Sequence, residues 1–77
     1  MDLTGLANSA FLDRHGRFAK DEDQVDRVRL WFDGDSPDVY TEITYAEFKA
    51  LDGDDRRTIM DAGSGAGLVE TAGVSNA

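Results

Sequence analysis

The chain has no cysteine, one histidine and one proline, and no apolar run longer than three residues. Without cysteine there is neither a disulfide staple nor a thiolate metal site. A lone His15 excludes any site that needs two imidazoles, and zinc held by carboxylates alone is unusual. The longest aliphatic or aromatic run, Leu30-Trp31-Phe32, is far short of the roughly 20 residues that span a bilayer. Met1 to Ala10 shows neither a basic nor a strongly apolar leader segment, so no signal peptide is expected. The expectation is a soluble chain, cytoplasmic or within a viral particle, with no membrane partner.

Positive charge is also scarce. Sixteen acidic against eight basic residues give a net charge of −8 over 77 residues. Such a surface repels phosphates and anionic lipid, so direct nucleic-acid binding is not expected. Seventy-seven residues make one domain whose core alone is marginally stabilising. Stability has to come from a compact core, a partner or self-association.

Residues 1–24 read as an N-terminal arm and charged loop. Leu3, Leu6, Ala10 and Phe11 suit a short helix or a docking arm, although Gly5 and Asn8 argue against a regular element. Asp13 to Gln24 is densely charged and reads as a solvated loop with Phe18 as its anchor.

Residues 25–62 read as a ββα(α) core. In Arg27–Phe32, Val28, Leu30 and Phe32 alternate with Arg27, Arg29 and Trp31, the two-residue period of a half-buried strand. Asp33 to Asp38 is saturated with turn formers. Strand character resumes at Val39-Tyr40-Thr41-Glu42-Ile43. This predicts an antiparallel β-hairpin, about 25–32 and 38–43, with a helix over 23–32 as the competing reading. Thr44-Tyr45-Ala46-Glu47 is a capping box, and Ile43 and Phe48 stand at the two positions of a hydrophobic staple. A helix is therefore predicted from Tyr45 to Leu51. A second short helix is predicted to be capped by Asp54, with Ile59 and Met60 inward and Gly63 as a left-handed stop.

Residues 63–77 form a Gly/Ala-rich C-terminal tail, flexible by itself or ordered by a partner. Its Gly63-Ser64-Gly65-Ala66-Gly67 has Leu68 where the dinucleotide fingerprint needs its third glycine, and no Lys-Ser/Thr follows for a phosphate loop.

Calcium is the other temptation, because EF-hand loops need oxygen ligands at positions 1, 3 and 5 with Gly at 6 and Glu at 12. Residues 11–22 supply Asp13, Gly16 and Glu22 in register but place Phe11 at 1 and His15 at 5. Counting from Asp33 puts Pro37 at 5, Asp38 at 6 and Thr44 at 12. Neither register closes, which leaves a weak calcium-binding regulatory module as an alternative. No G-x-S-x-G elbow exists around a serine, and so short a chain can hardly enclose a substrate cleft. No enzyme, cofactor or metal is expected.

The residues that stand out for binding are Trp31, Tyr40, Arg27 and Arg29, which the strand alternation puts on one face. Tryptophan, tyrosine and arginine are enriched where protein interfaces concentrate their energy. The fold expectation is α+β: a β-hairpin packed on one or two short helices. Because a two-stranded hairpin is marginal in water, its edges invite completion by another chain. The functional expectation is a non-enzymatic structural or interaction subunit, a minor virion component being the leading example. Its partner would be another protein, a second copy or a viral assembly. The alternative is an acidic inhibitor that mimics DNA on a basic target.

Overall fold

The alternation in residues 27–32 becomes the central strand of a sheet, and the competing helix over that segment is excluded. The computed structural model describes residues 1–63. Three strands, β1 (Leu6–Leu12), β2 (Arg27–Phe32) and β3 (Thr41–Thr44), precede two helices, α1 (Tyr45–Ala50) and α2 (Gly53–Ala62). One turn of 3-10 helix at Glu22–Gln24 lies between β1 and β2. The sheet is antiparallel throughout, in the order β1-β2-β3. Helices on one face of a small antiparallel sheet make this an α+β domain, as expected. The tail at 64–77 lies outside the described residues.

Val28 and Leu30 of β2 point at the helices and join Phe11, Phe48 and Ile59 in a buried core. The Phe11 and Phe48 rings meet edge to face, 5.1 Å between centroids and 90° between planes. That is a favoured aromatic geometry. Leu6, Phe32, Ile43, Tyr45, Leu51 and Met60 pack around this centre.

The main correction concerns the N-terminal arm. Leu6–Leu12 is a strand paired along β2, not a helix or a free arm. Its inward residues are Leu6, Ser9 and Phe11, opposite Phe32, Leu30 and Val28. The spacing breaks the two-residue period because the register shifts between Leu6 and Asn8. A bulge of this kind inserts a residue and lets both ends of the strand face the core. Ala10 and Leu12, on the other face, are buried as well, at the place where the chain doubles back. There Leu12 pairs with Phe18, and the Ala19 amide donates to the Phe11 carbonyl at 2.9 Å. The buried residue of this returning loop is Ala19, whereas Phe18 is 61% exposed and is no anchor.

One edge of the hairpin is therefore not open, because β1 covers it. β2 has a partner on each side. On the outer side of β1 the Phe11 carbonyl is taken by Ala19, and the Ser9 amide is taken by the Asn8 side chain at 2.8 Å. On β3 the Tyr45 amide donates to the Asp26 carbonyl, so antiparallel alternation turns the Glu42 and Thr44 amides outward. The Thr44 amide is already held by the Glu47 carboxylate at 2.9 Å. That leaves Glu42 alone with a free outward amide on β3, too short an edge for strand addition.

The capping box of α1 forms in full, with Thr44 Oγ1 accepting from the Glu47 amide at 3.0 Å. α1 ends at Ala50, one residue short of the predicted Leu51. The α2 cap is Asp52, which accepts from the Asp55 amide at 2.8 Å, so the helix begins earlier than a cap at Asp54 implied. Gly63 ends α2 with φ −87°, not in the left-handed region. Glycine is required there for space: a Cβ would stand 2.9 Å from the Ser9 main-chain oxygen and 2.5 Å from its hydroxyl.

Candidate interaction surfaces

The four residues singled out in the sequence do share one surface, the sheet face opposite the helices. Arg27, Arg29 and Trp31 alternate outward along β2. β1 adds Asn8, Ala10 and Leu12 beside Trp31, Arg29 and Arg27. Tyr40 falls just before β3 rather than within a strand starting at 38, yet it still reaches this face. Its ring lies 5.8 Å from Trp31 at 60°, and the Arg29 guanidinium sits over it at 4.4 Å.

The polar tips of Trp31, Arg29 and Arg27 are occupied. The Trp31 indole N–H donates to the Pro37 carbonyl at 3.2 Å, which fastens the β2–β3 loop to the strand. Arg29 Nε donates to Glu42 at 2.8 Å, and Arg27 lies 3.6 Å from the same carboxylate. Glu42 thus bridges two arginines across the sheet. The result is a held platform, with Tyr40 40% exposed and Val39 beside it 56% exposed. Aromatic rings locked before binding lose little entropy when a partner arrives.

A second concave surface runs between α1 and α2, a groove of about 580 Å³. Its floor is Phe48, stacked on Tyr45 at 5.6 Å and 12°, together with Met60. Lys49, Arg56 and Arg57 stand on its rim with Glu22 and Asp61. The Tyr45 hydroxyl donates to Glu22 at 2.8 Å. Burial of the phenol, and then this contact with a carboxylate, push its pKa up to about 12. The Lys49 ammonium lies over the Tyr45 ring at 5.2 Å.

Many of the acids are engaged in turns. Asp2 accepts from the Thr4 amide, Asp13 from His15 and Arg17, Asp35 from Phe32, and Asp52 from Asp55. Hydrogen bonds from main-chain amides hold the Asp13 carboxyl below its ordinary pKa, that of Arg17 contributing most. Among the described residues no three His, Asp or Glu side chains converge as a metal site. His15 lies exposed in the Asp13–Arg17 turn beside Arg14. No helix among the described residues is long and apolar enough to cross a membrane.

No protein family, curated protein or solved structure matches the chain. The groove and its three basic residues escaped sequence reasoning. Lys49 and Arg56–Arg57 belong to different helices, and only the angle between those helices brings them together. The nearest signal was that two of the eight basic residues are adjacent in the otherwise acidic second helix.

Proposed function

We propose that the protein is a non-enzymatic interaction subunit that binds another protein through the outer sheet face around Trp31, Tyr40, Arg27 and Arg29. The observation that carries this reading is the fixed Trp31–Tyr40–Arg29 stack on a face that neither helix covers. The returning loop buries Ala10 and Leu12 on this face, but it leaves the Tyr40 end of the aromatic–arginine cluster exposed, and an exposed aromatic beside arginine suits a docking platform. The short β3 edge, with the Thr44 amide already held by Glu47, supports binding across the face rather than strand addition there.

The test is affinity capture from the native source with wild-type chain and with the Arg29→Ala/Tyr40→Ala variant, both shown to be folded. A specific partner held by the wild type and lost by the variant supports the proposal. Equal capture by both would remove the outer face from consideration. A partner held with a steep salt dependence and unaffected by the variant would favour an acidic inhibitor on a basic target.

A further inference from the structure

We propose that the α1–α2 groove receives the β2–β3 loop of a second copy, joining molecules head to tail. This rests on the assembly reading above but uses the helix groove and the loop that borders the outer face.

The two surfaces complement each other in charge and polarity. The groove offers an aromatic and methionine floor beneath Lys49, Arg56 and Arg57. None of these three enters an ion pair among the described residues, whereas Arg17, Arg27 and Arg29 all do. Of the two rim acids, Glu22 already accepts the Tyr45 hydroxyl. The loop between β2 and β3 presents Asp33, Asp35 and Asp38 around exposed Val39. A turn from the Ser36 carbonyl to the Val39 amide, 2.9 Å, and the Trp31–Pro37 bond hold its shape. Phe18, another exposed large apolar side chain, stands between Arg17 and Lys20 and does not suit a basic groove.

Position rules out closure within one molecule. The loop leaves the end of β2 after Phe32, whereas the groove lies at the opposite end, where Thr44 pairs with Arg27 and the chain enters α1. Six residues of strand separate the two by about 20 Å. A loop at one pole and a matching groove at the other make a heterologous contact, which propagates into a chain or closes into a ring. Whole molecules of charge −8 repel one another at long range, so the contact strengthens once salt screens that repulsion. At about 150 mM the screening length is about 8 Å, while apposed charges in the groove still interact.

Sedimentation and light scattering of the full chain at about 150 mM salt, up to about 1 mM protein, test this. The weight-average mass of the wild type is expected to rise with concentration. Arg56→Glu/Arg57→Glu spoils the groove and Asp38→Asn/Val39→Ser spoils the loop without giving it a charge that the altered groove would attract, all at exposed positions. Each variant alone is expected to stay monomeric. Their equimolar mixture is expected to form a dimer and stop, because each contributes the half the other lacks. A wild type that stays monomeric, variants that associate as it does, or a mixture that stays monomeric would each overturn the inference. Arg27→Ala, on the outer face, is expected to leave association unchanged. If it alone abolished association, the contact would be the outer face, and the head-to-tail inference would fail while the assembly reading stood.

Discussion

The Ser9 hydroxyl donates to the Ile59 main-chain carbonyl at 2.5 Å, a fully buried bond that ties the second helix to the first strand. Gly63 then closes over the same serine. Between them, these contacts lock the end of α2 to a strand 50 residues away in sequence.

Two substitutions separate the bond from the close approach. In Ser9→Ala the Ile59 carbonyl keeps the Gly63 amide as a donor at 3.2 Å. The expected loss is therefore about 1 kcal/mol, the ordinary value of one hydrogen bond. Gly63→Ala forces a methyl against the Ser9 main-chain oxygen and should cost about 1–3 kcal/mol through overpacking. Urea unfolding of both variants checks the order. A Gly63→Ala protein as stable as the wild type would show that the helix end is not held against the strand.

The capping box offers a local test. Thr44→Ala removes the oxygen that accepts the Glu47 amide, and loss of such a cap costs about 1 kcal/mol. Glu47→Ala should cost less in the helix but free the Thr44 amide on the β3 edge. Denaturation gives the first effect, and faster hydrogen exchange at Thr44 gives the second.

How far the fold was legible follows from how local each signal was. β2 announced itself because one face meets the core and the other meets solvent, so charge and apolar residues alternate. The start of α1 was written in four consecutive residues, Thr44 to Glu47. β1 was hidden because Ala10, Phe11 and Leu12 are all buried, which erases alternation, and because its bulge shifts the parity. Asp52 lost to Asp54 as the expected cap because Gly53 reads as a stop. At the first helical position, however, glycine interrupts no intrahelical bond, since that amide has no partner anyway. Trp31, Tyr40, Arg27 and Arg29 were legible as a group through strand parity. Lys49, Arg56 and Arg57 were not, since nothing in sequence spacing reports how two helices cross.

On the outer face, the Arg29–Glu42 pair should matter more for recognition than for folding. Both side chains are partly solvated, and exposed pairs contribute about 0.2–1 kcal/mol. A double-mutant cycle with Arg29→Ala and Glu42→Gln is expected to give a coupling in that range for unfolding. For partner binding, Arg29→Ala should cost about 2 kcal/mol or more, because the guanidinium also covers the Tyr40 ring at the centre of the platform. Similar losses in folding and binding would show that Arg29 only stabilises the sheet.

The Tyr45–Glu22 contact predicts alkaline behaviour. The folded pKa of Tyr45, about 12, lies above the ordinary 10, so the folded chain holds the phenolic proton more tightly than the unfolded chain. The stabilisation is complete below pH 10 and is lost as pH rises from about 10 to about 12. In a Tyr40→Phe background Tyr45 is the sole tyrosine, and its phenolate absorbance should emerge with a midpoint near that upper value. Burial is the larger cause and the Glu22 contact the smaller. Adding Glu22→Gln should therefore lower the midpoint while leaving it above 10. A midpoint of 10 in the Tyr40→Phe protein would show that the phenol is solvated and that the groove floor beside it is open to water.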